Sequence, residues 1–352
     1  MDITLQQYGL VPFFTGQTTL DEIDQGRVGR VTAVQRSLIV VFNGAEERPV
    51  PLHSAWHEAA PENRPTVGDW VVLDDQLCKV ERVLERKSVF RRIAAGEKTE
   101  IQLIAANIDI LFVVTSCNEE FRESRLERYF ALAAEAGVMP VVVLTKADLS
   151  DDADAFAERV RNVQPGVAVE CVNALDKSTL MSVIAWVEPG STIALVGSSG
   201  VGKSTLLNTL AGAELAATNE IRRADKRGRH TTSHRELHRL PGGGLLIDVP
   251  GIRELKVASA DMGLATVFDD VEALASTCRF SDCRHVNEPG CAVQSAVEKG
   301  DLDARRLRNY LKLVRENERN SASLAEKRSQ GKAFAKHVRH VKSLKEDQKN
   351  RN

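Results

Sequence analysis

The stretch Gly197-Ser198-Ser199-Gly200-Val201-Gly202-Lys203-Ser204 decides how this chain folds. It fits the pattern GxxxxGK(S/T), directly after an apolar strand predicted over 192–196 and before a helix predicted from Thr205. Glycines let backbone N–H groups turn inward around phosphate oxygens, and the helix start adds a positive end. Lys203 is expected to meet the outer phosphates and Ser204 to ligate Mg²⁺. The alternative is a glycine-rich turn without a ligand.

Buried strands alternate with helices from about residue 100, and this pattern predicts a doubly wound α/β domain with a mostly parallel sheet. The predicted strands are 108–115, 141–144, 167–172, 192–196 and 245–248. The predicted helices include 124–136, 154–163, 178–187 and 205–210. In this arrangement the phosphate loop follows one of the central strands.

The tetrapeptide Thr145-Lys146-Ala147-Asp148 follows a predicted strand and resembles the guanine-specificity motif NKxD of GTPases. Asp148 would accept hydrogen bonds from N1–H and N2–H of guanine, a donor pair that adenine lacks. Thr145 stands where Asn is usual, so the sequence leaves undecided whether the hydrogen bond that Asn makes in support of this motif is kept. The alternative for this tetrapeptide is an ordinary helix cap after a strand.

The order of the motifs along the chain is informative. Asn173 and Ala174 are a weak candidate for the turn that cradles the base. In Asp248-Val249-Pro250-Gly251, Asp248 would hold Mg²⁺ through water and the Gly251 N–H would sense the γ-phosphate. The base motif therefore precedes the phosphate loop, the reverse of ordinary GTPases. A circular permutation explains this order, because domain termini lie at the surface and often close together.

Over essentially its whole length the chain resembles the circularly permuted, ribosome-small-subunit-dependent GTPase A family (RsgA, also called YjeQ). The resemblance implies that GTP is hydrolysed to GDP and phosphate, with stimulation by the small ribosomal subunit, during late maturation of that subunit. The family's GRHTT segment is matched by Gly228-Arg229-His230-Thr231-Thr232. Thr231 or Thr232 would then complete the Mg²⁺ shell. A polar loop without a catalytic role is the alternative.

Hydrolysis by the free protein is expected to be slow, because Ile252 stands where Ras-like GTPases have the water-orienting Gln. We hypothesise that His230, or a group supplied by the partner, orients the water instead. Two other function classes stay open at this point. One is a P-loop ATPase or kinase, which Asp148 argues against. The other is an RNA-binding adaptor whose nucleotide site is mainly structural.

Short strand-like runs separated by turn residues occupy 29–34, 37–42, 48–53, 69–73 and 78–84. They predict an OB-type β-barrel, with another small β-domain as the alternative. The predicted domains are an N-terminal extension 1–24 that orders only on docking, the barrel 25–90, a permuted GTPase domain 91–257, a mainly helical zinc-binding module 258–325 and a basic tail 326–352. A helix is predicted over 302–318.

Four metal-ligand side chains lie within 14 residues: Cys278, Cys283, His285 and Cys291. A Cys₃His set is typical of a closed structural zinc site, in which every coordination position is taken by protein. Reactive thiols and a chance cluster are the alternatives on spacing alone, and the family resemblance favours one structural zinc. Such a loop-rich segment has little core, so the metal would supply much of its folding energy.

Composition is that of a folded globular protein, with 352 residues, 43% apolar and 27% charged. No membrane helix or secretory signal is expected, and cytoplasm is the expected location. The net charge of −2 hides two basic segments, residues 222–239 and the last 27 residues. These segments predict contact with the phosphate backbone of rRNA, although a solvated helix face is the alternative for the tail. GTP and GDP, but no DNA or membrane, are the other expected partners, and the protein is expected to be monomeric.

Overall fold

The computed structural model describes residues 4–35, 37–93, 101–212, 235–248 and 260–322. The strands are β1 (Val28–Val34), β2 (Leu38–Phe42), β3 (Glu47–Pro51), β4 (Trp70–Leu73), β5 (Val80–Val83), β6 (Val89–Ile93), β7 (Ile101–Ala106), β8 (Ile110–Ser116), β9 (Met139–Thr145), β10 (Ala168–Cys171), β11 (Thr192–Val196), β12 (Arg235–Arg239) and β13 (Leu245–Asp248). The α-helices are α1 (Pro12–Thr15), α2 (Leu20–Asp24), α3 (Ser54–Glu58), α4 (Glu123–Ala136), α5 (Ala153–Val163), α6 (Met181–Ile184), α7 (Lys203–Ala211), α8 (Asp261–Val267), α9 (Asp269–Ala275), α10 (Ala292–Lys299) and α11 (304–322).

The central sheet has the strand order β10-β9-β8-β11-β13-β12. The first five strands are parallel, and β12 runs antiparallel to β13. The strand before the phosphate loop, β11, lies between β8 and β13. Because the carboxyl ends of parallel strands meet at one edge, the turns after β9, β10 and β11 lie on the same side of the sheet. This confirms the predicted α/β fold and its permuted order.

The N-terminal strands form the predicted OB-type unit. Strands β1 to β5 pair antiparallel in the order β3-β2-β1-β4-β5, and α3 lies between β3 and β4. Their inner face is an apolar core that includes Val31, Ile39, Val50 and Val71, all without exposure. Strand β1 also pairs with β12, so the barrel and the central sheet share one hydrogen-bonded surface.

The N-terminal segment differs from the predicted extension. Residues 4–24 form a 3₁₀ turn and the short helices α1 and α2. Tyr8 stacks on Phe42 with ring centroids 4.1 Å apart, and the buried Phe14 ring lies 5.7 Å from that of Trp70. The elements are too short to produce a hydrophobic period, so their aromatic anchors were not recognised as a packing signal.

Other predicted elements need correction. The hairpin of β6 and β7 was not predicted, and β12 occupies part of the segment expected to be a basic loop. The helix predicted over 178–187 is reduced to α6, because turns closed by Asp176 and Asn173 occupy its first part. The helix predicted over 302–318 begins at residue 304 and is helical to 322.

The C-terminal region is mainly helical, as predicted. Helix α8 packs against α4, and Phe268, between α8 and α9, is fully buried beside Tyr310 of α11. Gly263 permits the close approach of α8 to α4, because a Cβ there would lie 2.0 Å from the Ala131 carbonyl oxygen. In the part of the chain described, no helix combines the length and apolar character that a membrane crossing requires.

Candidate nucleotide site and metal centre

The phosphate loop connects β11 to α7 through backbone conformations that favour glycine. Gly197 has φ +148°, and a Cβ there would lie 2.1 Å from the carbonyl oxygen of Val114 in β8. Gly202 has φ +89° and precedes Lys203, the first residue of α7. The loop therefore lies against the neighbouring strand and presents its N–H groups at a helix start, the geometry that binds phosphate.

The side chains of the loop differ in burial. Lys203 is 6% exposed, and its Nζ donates to the Ser198 carbonyl oxygen. Ser204 and Thr205 lie in the first turn of α7, while Ser199 and Gly200 are exposed. An exposed loop tip above a buried lysine leaves the N–H groups accessible to a phosphate and keeps the cation beside them.

Thr145 connects the base motif to the phosphate loop. It ends β9 without exposure, and its Oγ1 lies 2.6 Å from the Val201 carbonyl oxygen and 3.1 Å from that of Thr115. The hydroxyl has one proton, so these two acceptors share it. Thr145 therefore supplies a hydrogen bond between the end of β9 and the phosphate loop.

The remaining base-motif residues lie next to the loop. Lys146 has φ +57°, and its Nζ donates to the Gly200 carbonyl oxygen at 3.0 Å. Asp148 lies in the exposed 3₁₀ turn Ala147–Leu149. An exposed carboxylate at this edge of the sheet is accessible to the Watson–Crick edge of a base.

The predicted cradle residues are held beside the base motif. The Ala147 N–H donates to the Val172 carbonyl oxygen at 3.3 Å, which connects the two turns. Asn173 Oδ1 accepts from the Leu175 N–H at 3.0 Å. In α7, Thr209 Oγ1 lies 2.9 Å from both the Ala174 and the Thr205 carbonyl oxygens, which share its one proton. The turn after β10 is thus fixed from both sides.

Two apolar residues beside this turn were not singled out from the sequence. Leu149 is 78% exposed and Leu175 is 80% exposed, each directly after a motif residue. Exposed leucines at the rim of a polar site offer apolar surface to the flat face of a ligand. Their signal in the sequence was an apolar side chain directly following Asp148 and Ala174.

The predicted switch residues are only partly described. Asp248 ends β13, and its backbone pairs with Glu236 of β12. Since β13 lies beside β11, the chain passes the phosphate-loop edge of the sheet at this position. His230, Thr231, Thr232 and Gly251 lie outside the described residues.

The predicted metal ligands converge. The ligand atoms of Cys278, Cys283, His285 and Cys291 all lie within 4.8 Å of one another. The Cys278 and Cys291 sulfurs are 3.9 Å apart, and His285 Nδ1 is 3.6 Å and 3.5 Å from them. A tetrahedron with Zn–S bonds of about 2.3 Å and a Zn–N bond of about 2.0 Å has edges of about 3.8 Å and about 3.5 Å. The donor set therefore fits zinc in both chemistry and spacing.

Backbone groups support this cluster. Cys291 caps α10, and its sulfur accepts from the Gln294 N–H at 3.4 Å. Burial acts to raise the pKa of the Cys278 thiol, but the N–H groups of Val293 and Ala292 and the neighbouring thiols outweigh it, so the pKa lies below its ordinary value. A lower pKa favours the thiolate, which is the form of cysteine that binds a metal.

Comparison with known proteins agrees with this geometry. The sequence model of the family described as RsgA GTPase matches residues 83–258. A model of the ABC transporter family matches residues 180–339, which contain the phosphate loop but not the base motif. The small ribosomal subunit biogenesis GTPase RsgA 2 of Vibrio parahaemolyticus is 48% identical over 341 residues, 97% of this chain and 93% of the relative. The relative of the same name from Listeria monocytogenes is 42% identical, over 97% of this chain and 99% of its own.

Solved structures agree as well. YjeQ from Thermotoga maritima matches with a TM-score of 0.58 and 24% identity, over 82% of this chain and 96% of its own. YloQ, described as a circularly permuted GTPase, matches with a TM-score of 0.56 and 25% identity, over 83% of this chain and 95% of its own. Fold, motif order and relatives together show that the chain belongs to the RsgA GTPase family.

Proposed function

We propose that this protein hydrolyses GTP in response to the small ribosomal subunit and acts in late maturation of that subunit. The observation that carries the proposal is the hydrogen bond from Thr145 to Val201, which joins a guanine-type motif to a phosphate loop at one edge of the sheet. GTP hydrolysis itself follows from membership of the GTPase family. Stimulation by the subunit and the maturation step are the parts that need testing.

In this proposal each part of the site has one task. Asp148 accepts from N1–H and N2–H of guanine, while Asn173 and Ala174 support the base. The loop N–H groups and Lys203 bind the phosphates. Ser204 and residues from the switch segments would hold Mg²⁺, which would supply positive charge to the phosphates of the nucleotide.

The switch roles extend the proposal to residues outside the described ranges. Asp248 would hold Mg²⁺ through water, and Thr231 or Thr232 would complete the ligand set when the γ-phosphate is present. The Gly251 N–H detects that phosphate. His230, or a group of the subunit, orients the attacking water, because Ile252, the residue after Gly251, has an apolar side chain that cannot do so.

The partner is inferred from the names of the relatives and from charge. The relatives are named as small ribosomal subunit biogenesis GTPases. Residues 222–239 contain seven Lys or Arg and two acids, and the last 27 residues contain nine and three. Such segments bind a phosphate backbone without reading its bases. Contact with rRNA, a cytoplasmic location and a monomeric state belong to the same proposal.

The Cys₃His cluster is proposed to hold one structural zinc. Four donors are the number that a structural zinc site takes, and the spacings among the Cys278, Cys291 and His285 donor atoms suit the ion. The metal would fix the loop between α9 and α10, which has few apolar residues of its own.

The test is GTP hydrolysis by the purified, zinc-loaded protein with and without small ribosomal subunits, with ATP as the nucleotide control. Stimulation confined to GTP, and lost in Lys203→Ala, supports the proposal. Bound GTP without stimulation would replace it with the RNA-binding adaptor, and equal use of ATP would replace it with a P-loop ATPase. Unchanged stimulated turnover in His230→Ala would remove His230 from the mechanism.

A further inference from the structure

Helix α4 contacts the phosphate loop near its first turn and the C-terminal helix α11 along the next turn. It is the longest helix of the α/β domain in the described part of the chain, with 14 residues and seven of them buried. The two sets of contacts are made by residues only two positions apart. Displacement at one set therefore reaches the other through a single rigid element.

At the loop, Arg125 of α4 contacts Ser198. Its Nη1 donates to Ser198 Oγ at 2.7 Å, and the same Nη1 lies 3.4 Å from a Glu120 carboxylate oxygen. The Ser198 carbonyl oxygen accepts from Lys203 Nζ. One residue of the loop thus connects the phosphate-binding lysine to α4. A phosphate that accepted from Lys203 Nζ would compete with the Ser198 carbonyl oxygen for this donor, so nucleotide binding would act directly on the Ser198 peptide.

On the next turn, the carboxylate of Glu127 is fully buried against α11. Its oxygens accept from Arg305 at 3.1 Å, from Arg306 at 3.3 Å and from the Asn309 amide. We name these four residues the Glu127 clasp. A buried carboxylate needs all of its partners, because each remaining donor or acceptor is costly to leave unpaired in the interior.

The Glu127 clasp fixes the position of the C-terminal module, residues 260–322 with helices α8 to α11, on α4. Arg306 also donates to the Val267 carbonyl oxygen and to Asp270, which connects α8 and α9 to the same point. About two turns beyond Asn309 along α11, Glu316 forms a two-bond ion pair with Arg128 of α4, at 2.6 Å and 2.8 Å. Since charge pairs set the register of the two helices, a shift of α4 has to be followed by α11 or has to break these pairs.

We propose that Arg125 is a positioning residue that couples the conformation of the phosphate loop, through α4 and the Glu127 clasp, to the position of the C-terminal module relative to α4. This rests on the proposed function in one respect, since the ligand that changes the loop is taken to be GTP. Coupling is reciprocal, so a partner that moves the module also changes the affinity of the loop for the γ-phosphate.

The chain offers a competing route, because the segment after β13 leads directly into α8. The two routes make different predictions for Arg125. If coupling runs only along the segment after β13, removal of the guanidinium leaves it intact. If coupling runs through α4, the same removal abolishes it.

The experiment is hydrogen exchange of residues 304–322 in the full-length, zinc-loaded protein, saturated either with GDP or with a non-hydrolysable GTP analogue. Binding of both nucleotides is measured first for each variant. We expect exchange of α11 to differ at least about fivefold between the two nucleotides in the wild type. Arg125→Ala and Ser198→Ala should abolish the difference, and Arg125→Lys, which keeps one charged donor, should restore part of it.

Arg122→Ala is the matched control. Arg122 precedes the first residue of α4 and is exposed, and its guanidinium donates to the backbone oxygens of Glu119 and Phe121. Its carbonyl oxygen accepts from the Arg125 and Leu126 N–H groups, and alanine keeps this backbone oxygen. It should keep the wild-type difference. Equal exchange with both nucleotides in the wild type, or a full difference in Arg125→Ala, would overturn the proposal. No ribosomal subunit is present, so a failure of subunit stimulation cannot produce either result, whereas failure to bind the analogue would defeat the proposed function itself.

Discussion

The substitution Thr145→Val tests the connection between the base motif and the phosphate loop. Val has nearly the same shape, so the buried site is still filled, but the hydroxyl that contacts the Val201 and Thr115 carbonyl oxygens is lost. A buried acceptor left without its donor costs about 1–3 kcal/mol. We expect the free energy of unfolding to fall by this amount. If this free-energy cost falls entirely on the GTP-binding conformation of the loop, the Kd for GTP rises about 5- to 150-fold, since a factor of ten in Kd corresponds to about 1.4 kcal/mol.

The assays are urea unfolding and equilibrium binding of a fluorescent GTP analogue to the zinc-loaded protein. Thr32→Val is the matched control, because Thr32 is also buried, in β1, and its hydroxyl lies 3.4 Å from the Val40 carbonyl oxygen, a weak contact far from the loop. It should leave the Kd for GTP unchanged. Wild-type stability and wild-type GTP affinity in Thr145→Val would refute the argument that this hydroxyl holds the loop.

Three further outcomes are expected. Asp148→Asn presents a donor and an acceptor in place of two acceptors, so GTP affinity should fall at least about tenfold. Xanthosine triphosphate, which has a carbonyl at position 2, should bind better than GTP in competition assays. A retained preference for GTP would contradict the role assigned to Asp148. Gly197→Ala places a Cβ against the Val114 carbonyl oxygen at a φ of +148°, so nucleotide affinity and Tm should drop. Gly166→Ala, at a φ of +78° with nothing within 4 Å of the added Cβ, is the control and should keep its nucleotide affinity. Equal nucleotide affinity in the two variants would contradict the predicted clash. Glu288→Ala removes the acceptor for three backbone N–H groups of the metal-binding loop and should speed zinc release to a colorimetric chelator; an unchanged release rate would show that the carboxylate does not support the loop.

The features that were predictable from sequence are those that depend on neighbouring residues. The phosphate loop needs glycines and Lys203 at fixed spacing, and the strand before it is apolar from Ile193 to Val196. The metal ligands lie within 14 residues of each other and are chemically distinctive. For such features the residue types alone limit the geometry, and the structure confirms that the loop and the four ligands each come together.

The features that were missed depend on partners far along the chain. Strand β12 has the polar sequence RELHR, and it becomes a strand because β13 and β1 are available on either side. Glu127 looks like an ordinary helix-surface acid until Arg305, 178 positions later, pairs with it. Tyr8 has no local period and is held by Phe42. Contacts of this range leave no spacing pattern in a single sequence.

The strand order has a consequence for how the protein is made. Strands β8, β9 and β10 leave the ribosome before β11, the strand that lies against the inner edge of β8 in the finished sheet. Thr192 follows Ser116 by 76 positions, which at about 5–20 residues per second takes roughly 4–15 s of synthesis. During this interval the apolar edge of β8 is open to other chains. The permuted order therefore makes the base-recognising half of the sheet first and leaves it incomplete until the central strand is made, so slowed synthesis between these two positions should promote aggregation of this protein.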